Sequence, residues 1–336
     1  MKLFKRPKHE LFSHVVSLVP VTIWHELIKI NLIIPRWHVV SDSYLPHMEG
    51  TYRFRTLMQF NKDLDFLLKY YEPISLSELI KALDNNNKFK SRRFLATFDD
   101  GFREQYDVIA PILYKLGVPA VFFLTTALID NKKLAYPQKK SLLIWKIRKL
   151  KDRGILGGVS RILNTKGVDK SNIISLIQTM SYRDQSILDE IAALIGIDFI
   201  SYLSSNKPYL TSHQVRGLIE RGFDIGSHSI DHPRFSEICL REQIYQTISS
   251  VNWLSVKYNY ICNSFAFPRS DEYVTPEYFD IIFSESTIKV TFGTGGMIKR
   301  GHGRNLPRCS AEGSDATMRQ IISLDSARFF LMKNLV

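Results

Sequence analysis

The chain has 336 residues, of which 45% are hydrophobic and 23% charged, a balance typical of a globular protein with a substantial core. Its formal net charge is +12 and its pI about 9.5, which favours an anionic neighbour: a membrane surface, a phosphorylated lipid carrier, an acidic glycan or nucleic acid. No stretch is long and apolar enough to span a bilayer. The length allows one large domain or two.

The N-terminal segment, residues 1–31, starts with basic residues and continues into an apolar stretch. Pro20 interrupts that stretch and no small-residue cleavage site follows it, which is unfavourable for a cleaved export signal. An apolar residue at every fourth position instead predicts an amphipathic helix bent at Pro20. We expect this helix to pack on the domain, with a membrane surface as the alternative. The recurring residues are Leu11, Val15, Val19, Ile23 and Leu27.

Three cysteines, Cys239, Cys262 and Cys309, share no close spacing. They therefore predict neither a disulfide framework nor a zinc knot, and they favour a reducing compartment. We expect a cytoplasmic protein that associates with a membrane surface, and export is the alternative.

Strands and helices alternate between residues 32 and 125. The order strand, helix, strand predicts a parallel sheet. The first predicted strand is broken at Pro35 and ends near His38, and the helix before Gly117 is closed by that glycine. The predicted strands are 32–40, 94–98 and 120–125, and the predicted helices are 54–71 and 109–116.

Residues 130–208 differ in character from the rest of the chain. Lysines and arginines are dense between 132 and 151, and helical spacing recurs between 187 and 195. We interpret this region as a helical insertion that forms either a cap over the site or a partner surface. After it we predict helices at 214–221, up to about 258 and from 315, and strands at 223–226, 264–268, 290–293 and 306–309.

Two adjacent carboxylates and a glycine, Asp99, Asp100 and Gly101, follow the buried strand 94–98. Adjacent residues at a strand end point to opposite sides, so the two carboxylates are expected to have different tasks. One would hold a metal ion while the other accepts a proton. The alternative is a simple turn, because aspartate and glycine both favour turns.

Two histidines, His228 and His232, lie four residues apart after another short strand. Imidazoles at this spacing can converge on one ion, and two histidines with one carboxylate form a known zinc ligand set. Asp100 would supply the carboxylate. Asp99 would then be free to act as a base.

At this point the sequence resembles the polysaccharide deacetylases, carbohydrate esterase family four, which carry the nodulation-type deacetylase homology domain. The resemblance rests on Thr-Phe-Asp-Asp-Gly at 97–101 and on His-Ser-Ile-Asp-His-Pro at 228–233. Phe-Ala-Phe-Pro at 265–268 and Leu-Pro-Arg at 306–308 are similar to later family motifs. The family fold is a distorted (β/α) barrel with its site at the carboxyl ends of the strands. It would span residues 32–336, including the insertion.

The resemblance also implies roles for individual residues. Asp99 matches the catalytic base, and Asp100, His228 and His232 match the ligands of a divalent metal ion, for which zinc is expected. The usual C-terminal Leu-x-His motif, which supplies the catalytic acid, is absent. However, Trp37-His38-Val39-Val40 resembles the opening of a permuted subgroup that includes poly-N-acetylglucosamine deacetylases, so His38 is expected to be the acid.

The third motif departs from the family because it has no arginine before its proline. Arg308 or Arg269 is expected to steady Asp99 instead, and an ordinary surface arginine is the alternative for each. Phe267 and Pro268 are expected to bind substrate or to support the catalytic groups.

The resulting hypothesis is a metal-dependent hydrolase that removes N-acetyl groups from a polysaccharide, an oligosaccharide or a lipid-linked glycan. Contact with a membrane or an anionic lipid carrier is expected as well. One alternative is hydrolysis of another C–N bond, in a cyclic amide. Another is an inactive glycan-binding homologue. No nucleic-acid partner is expected, because the basic residues are not interleaved with aromatic ones in a binding motif.

Overall fold

A computed structural model describes residue 16 and residues 18–165 and 167–334. Its strands pair in parallel within two sheets, one of three strands in the order β1–β4–β3 and one of eight in the order β10–β9–β8–β7–β6–β5–β2–β11. The strands are β1 (Leu32–Ile33), β2 (Pro35–Trp37), β3 (Glu72–Pro73), β4 (Arg93–Phe94), β5 (Ala96–Phe98), β6 (Ala120–Leu124), β7 (Asp224–Ser227), β8 (Ser264–Ala266), β9 (Val290–Phe292), β10 (Asn305–Leu306) and β11 (Cys309–Ser310).

The large sheet curls into a distorted barrel. Its two edge strands, β10 and β11, are separated in the chain only by Pro307 and Arg308. Three residue steps extend no more than about 11 Å, so the two edges must lie near one another. The predicted (β/α) barrel is therefore confirmed, and Arg308 sits in the short segment that links its edges.

Two predicted strands are each divided between the two sheets. The strand predicted at 32–40 breaks before Pro35 into β1 and β2, and the strand predicted at 94–98 breaks at Leu95 into β4 and β5. The residues of β5 and β6 are all buried. This explains why the sequence of each strand is a continuous buried run and does not alternate between apolar and exposed polar residues. The rings of Trp37, Phe98 and Phe122 stack on one face of the sheet, where Trp37 and Phe98 meet Phe60 edge-on.

Helices connect and surround the strands. Thr56, Ser75 and Thr211 each begin a helix with a reciprocal capping box, in which the third helical residue is Gln or Glu. The α-helices are α1 (Val21–Ile28), α2 (Leu57–Tyr70), α3 (Leu76–Asp84), α4 (Ala110–Leu116), α5 (Tyr136–Lys149), α6 (Arg153–Ile162), α7 (Lys170–Thr179), α8 (Gln185–Leu194), α9 (Phe199–Asn206), α10 (Ser212–Glu220), α11 (Leu240–Tyr258), α12 (Pro276–Glu285) and α13 (Met318–Asn334).

The residues that were interpreted as a helical insertion form helices α5 to α9, which share an apolar core of their own. The base of this unit is joined to the loop after β5. Phe102 pairs with Tyr209 in an isolated bridge, and the Leu210 N–H donates to the Gly101 carbonyl at 2.9 Å. The insertion is therefore anchored directly beside the two adjacent carboxylates.

The N-terminal helix differs from its prediction. Helix α1 begins immediately after Pro20, and it buries Val21, Trp24 and Ile28. Ile23 and Leu27 are nearly half exposed, so the four-residue spacing selected the wrong face of this helix. The earlier part of the predicted helix, with Leu11 and Val15, lies outside the described residues. Among the described helices, none has the length and apolar character needed to cross a membrane.

Candidate active site

Neighbouring strands deliver the predicted acid and base to the same edge of the sheet. Trp37 of β2 is in register with Phe98 of β5, so His38 and Asp99 leave the sheet side by side. The Asp99 N–H donates to the Trp37 carbonyl at 2.9 Å. Gln105 ties the two strand ends together, because its side-chain amide donates to the carbonyls of both His38 and Asp99, at 3.1 and 2.5 Å.

The two histidines come from the loop after β7. Leu124 of β6 is in register with Ser227, and the His228 N–H donates to the Leu124 carbonyl at 2.9 Å. The loop then folds back to His232, whose N–H donates to Ser229 Oγ at 3.0 Å. Ordinary parallel pairing thus places the histidines next to the carboxylates, at the carboxyl ends of the strands.

Asp99 and Asp100 do not point to opposite sides, contrary to the expectation from strand geometry. Both side chains line the same cleft. The strand ends at Phe98, and Asp100 takes a left-handed backbone conformation with φ of 76°. This turn swings the Asp100 carboxylate back towards the histidines, while Gly101 accepts the next positive φ, 79°, without a Cβ penalty.

Positive φ angles recur at non-glycine residues around this cleft. Besides Asp100, the residues Ser229, His232 and Arg269 have φ of 71°, 66° and 62°. Such conformations are unfavourable for residues with a Cβ and are found preferentially at functional sites. Three separate loops therefore hold strained backbone at the mouth of one cleft.

Asp100, His228 and His232 form a group with suitable geometry for a metal ion. One potential ligand atom from each lies within 4.8 Å of the other two. Asp100 Oδ1 is 3.3 Å from His228 Nε2 and 3.1 Å from His232 Nε2. This buried oxygen makes no hydrogen bond of good geometry within the described part of the chain, which fits an ion-binding role better than side-chain pairing.

The protonation of these groups also suits a cation. His228 Nδ1 lies 2.8 Å from the Ala266 carbonyl, an acceptor, so Nδ1 carries the proton and Nε2 presents its lone pair. Burial lowers the pKa of His232, which favours the neutral ring that binds metals. Burial would raise the pKa of Asp100, but the neighbouring histidines hold it well below its usual value, so Asp100 is ionised. The three donors fit a zinc ligand set.

Asp99 is held by Arg308 from the segment between β10 and β11. The guanidinium donates to both carboxylate oxygens, from Nη1 to Oδ1 at 2.6 Å and from Nη2 to Oδ2 at 2.8 Å. Both side chains are almost completely buried. Burial raises the pKa of Asp99, but the charge and hydrogen bonds of Arg308 outweigh that effect and bring the pKa to about 2. Asp99 is therefore an ionised proton acceptor with a fixed orientation.

His38 is held by Glu312, a residue that the sequence analysis did not single out. His38 Nδ1 lies 2.8 Å from Glu312 Oε2, and Glu312 Oε1 accepts from the backbone N–H groups of His38 and Val39 at 2.8 and 3.1 Å. Burial lowers the pKa of His38, but the hydrogen bond and charge of Glu312 outweigh that effect and raise it overall. His38 is therefore suited to carry and donate a proton.

Further side chains in the cleft were missed from the sequence. Arg36 precedes His38 by two residues on β2, so strand alternation could have placed both on one face. Its Nε lies 4.0 Å from Asp99 Oδ2. The Tyr52 ring centroid is 4.6 Å from that of His38. The sequence contained one weak signal that Tyr52 and Glu312 lie in the cleft, because each is close to a turn or to a strand end.

The remaining predicted residues occupy different positions. Arg269 lines the cleft but does not contact Asp99, whose carboxylate is bound by Arg308. Phe267 lies in the aromatic core against Phe235 and Tyr278, and Pro268 is buried; neither lines the cleft.

The cleft has a volume of about 250 Å³ and is lined mainly by polar side chains. The insertion supplies one wall through Pro137 and Gln138, in the first turn of α5. Asp99 and His38 line the same cleft as the candidate ion site, and their pKa values are shifted in opposite directions. Such a pair is suited to take a proton from one reactant and to give a proton to another.

Comparison with known proteins agrees with this geometry. The sequence profile of the polysaccharide deacetylase family matches residues 86–277, a range that contains both aspartates and both histidines. No curated protein sequence matches the chain. Three solved structures share its fold: the deacetylase PplD of Streptococcus pyogenes in complex with acetate, IcaB of Ammonifex degensii, and a polysaccharide deacetylase of Bacillus cereus.

These structures are distant in sequence. PplD is 16% identical over 87% of this chain and 97% of its own, with a TM-score of 0.55. IcaB is 14% identical over 88% of this chain and 97% of its own, with a TM-score of 0.54. The Bacillus cereus protein is 12% identical over 88% of this chain and 68% of its own, with a TM-score of 0.51. At such identities the likeness supports the fold alone. Because the family profile covers more than half of the sequence, the chain belongs to the polysaccharide deacetylase family.

Proposed function

We propose that this protein is a metal-dependent N-deacetylase that hydrolyses the acetamido group of an N-acetylated sugar in a glycan. The observation that carries the proposal is the convergence of three metal-ligand candidates with two separately oriented proton-transfer groups. Asp99 is fixed by Arg308 and His38 by Glu312. Both line the same cleft as the ligand group, and Asp99 Oδ2 lies 3.9 Å from His228 Nε2. An inactive binding protein would have no need for that arrangement.

Asp100, His228 and His232 would hold a divalent ion, for which zinc fits the donor set. The ion, when bound, supplies Lewis acidity and makes a nearby water more acidic. A ligand set of nitrogen and carboxylate donors also suits other first-row divalent ions, so the identity of the ion as zinc is itself a proposal.

The residues of the chain would divide the proton transfers between them. Water adds to the acetyl carbonyl carbon while Asp99 accepts its proton, a role for which Arg308 keeps the carboxylate ionised and oriented. The C–N bond then breaks, and His38 donates a proton to the departing sugar nitrogen. The sum is one amide and one water giving one acetic acid and one amine, which are present as acetate and ammonium at neutral pH. General acid catalysis of this kind contributes about 10²–10⁴-fold.

We further propose a cytoplasmic location next to an anionic membrane surface or lipid carrier. The net charge of +12 supports this part of the proposal. The scattered cysteines are in keeping with a reducing compartment.

The test combines acetate release from N-acetylglucosamine oligomers with measurement of bound metal. Asp99→Asn should keep stoichiometric metal and lose turnover by about 10²-fold or more, because it removes the proton acceptor and leaves the ligands intact. His232→Ala should lose both metal and turnover. The matched control is His213→Ala, which changes an exposed histidine on α10 and should alter neither.

The outcomes separate the alternatives. Normal deacetylation by Asp99→Asn would disprove the base assignment. A wild-type protein that binds metal but hydrolyses only cyclic amides would contradict the proposed reaction. Full activity of the wild-type protein after complete removal of metal by a chelator would refute metal dependence.

A further inference from the structure

The outer part of the cleft carries more positive charge than catalysis of a neutral amide requires. Arg234 follows the second histidine by two residues, and Arg269 follows β8; both line the cleft. We propose that they bind an anionic group, a carboxylate or a phosphate, on the substrate next to its acetamido sugar. This inference rests on the proposed function for the sugar itself and adds the charge of its neighbour.

Arg269 is presented to the cleft by a strained turn. The Ser270 N–H donates to the Pro268 carbonyl at 2.7 Å, and Arg269, the residue between them, has φ of 62°. A three-residue turn with positive φ at its centre is rare and unfavourable. Within the described residues, the Arg269 guanidinium forms no ion pair. The backbone therefore holds an unpaired cation at the mouth of the site.

Arg234 is only partly neutralised. Its Nε lies 3.6 Å from Glu237 Oε1, and this buried Nε makes no hydrogen bond to any described residue. Glu237 is shared with the insertion, because its Oε2 accepts from the Tyr182 N–H at 3.2 Å. The Arg234 side chain is 41% exposed and lines the cleft, so its guanidinium can still donate to a ligand there.

A third cation lies close to these two arginines. Lys140 of α5 is buried, and its Nζ donates to the carbonyls of Gln178 and Met180, both at 2.8 Å. Burial, followed by the charges of Arg269 and Arg234, lowers the pKa of Lys140 to about 8. Because its donors are already used, Lys140 contributes positive potential but no free contact.

The carboxylates of the cleft do not balance these charges. Asp99 is bound by Arg308 and approached by Arg36, and Asp100 faces the two histidines. Glu312 binds His38. An ordinary exposed arginine is the simpler interpretation of Arg269 taken alone. Crowding of like charges is unfavourable, however, and two arginines that line one polar cleft, with a buried lysine near them, are best explained by an anion that binds between the arginines.

The type of side chain indicates the type of anion. A guanidinium donates two parallel hydrogen bonds to the oxygens of a carboxylate or phosphate, with strict geometry. Two sources would present such a group beside an acetamido sugar: a neighbouring uronic acid, or the phosphate of a sugar phosphate or of a lipid-linked sugar. The same arginines would serve either source.

The experiment compares kcat/KM for acetate release from three substrates: a neutral N-acetylglucosamine oligomer, an oligomer in which uronic acids alternate with N-acetylglucosamine, and a prenyl phosphate ester of N-acetylglucosamine. At least one anionic substrate should exceed the neutral oligomer by about tenfold, mainly through KM, because charge-assisted hydrogen bonds are lost without the anion. The preference should diminish as salt is raised. The better anionic substrate identifies the source.

Variants test the arginine directly. Arg269→Gln should bring the ratio of anionic to neutral kcat/KM close to one, and Arg269→Lys should retain part of it. The matched control, Arg161→Gln, changes an exposed arginine on α6 and should leave the ratio unchanged. A neutral oligomer that is used as well as both anionic substrates, or an unchanged ratio in Arg269→Gln, would overturn the inference while the deacetylase function stands.

Calorimetric binding of N-acetylglucosamine 1-phosphate and of N-acetylglucosamine provides a readout without turnover. If no substrate releases acetate but the phosphate binds more tightly in an Arg269-dependent manner, the anion site stands and the proposed function fails. Equal binding of the two sugars in that case would overturn both.

Discussion

Replacing Glu312 with glutamine isolates the interaction that holds His38. The Glu312 side chain is buried and makes three hydrogen bonds, two through Oε1 to backbone N–H groups and one through Oε2 to His38 Nδ1. A glutamine keeps Oε1 as an acceptor, so both backbone contacts can remain. Its amide nitrogen cannot accept a hydrogen bond from His38 Nδ1–H. The change therefore removes one charge-assisted hydrogen bond and little else.

The size of the effect follows from that bond. A hydrogen bond to a charged group contributes about 1.5–3 kcal/mol, so the loss at neutral pH should be about 10- to 150-fold in kcat. The largest decrease is expected for His38→Ala, which removes the acid and should lower kcat by about 10²–10⁴-fold. Glu312→Asp keeps the charge but shortens the side chain, and it should retain more activity than Glu312→Gln.

The pH profile of acetate release distinguishes this role from a merely structural one. Glu312 raises the pKa of His38, so the protonated acid is present below that raised pKa and is lost as pH rises through it. In Glu312→Gln the pKa of His38 falls, and the basic limb of the kcat profile should move to lower pH. The control Glu285→Gln changes an exposed residue at the end of α12 and should keep the wild-type profile.

An unchanged basic limb in Glu312→Gln, with correct folding and full metal content, would refute this reasoning. The same would hold for a variant whose rate falls equally at every pH, because that pattern would indicate a displaced backbone and not a weaker acid.

Two other predictions concern stability and surface charge. A Cβ added at Gly226 on β7 would lie 2.4 Å from the Phe123 ring, so Gly226→Ala should lower the free energy of unfolding by about 1–3 kcal/mol in denaturant titrations. Gly303→Ala is the control, because a Cβ there would have no atom within 4 Å and should change this free energy little. Equal effects of the two substitutions would contradict the packing argument. The 336-residue chain, with its net charge of +12, should cosediment more with vesicles that contain anionic lipid than with neutral vesicles, and high salt should weaken the binding. Equal binding to both kinds of vesicle would argue against the proposed membrane contact.

Local sequence patterns were sufficient where the structure depends on local geometry. The apolar runs before Asp99 and His228 indicated buried parallel strands, and residues that follow such strands meet at one edge of a sheet. Local geometry failed where the chain left its regular conformation. Asp100 shares a cleft with Asp99 because of a positive φ, a value that strand alternation does not anticipate.

Long-range partners could not be chosen from the sequence. Arg308 and Arg269 were equal candidates to steady Asp99, and the curl of the sheet decides between them, because it brings the link between β10 and β11 beneath β5. The pairing of β11 with β2 in the same way brings Glu312 to His38, a residue 274 positions away.

The amino-acid sequence by itself determined the parallel sheet, the inserted helices and the group of aspartates and histidines at the strand ends, since each is encoded in short-range periodicity and spacing. Only the tertiary structure decided which buried charges pair with each other. That outcome depends on how the two edges of the sheet approach each other, and the resulting contacts join residues that no local pattern relates. The pairing of Arg308 with Asp99 and that of Glu312 with His38 both have this origin.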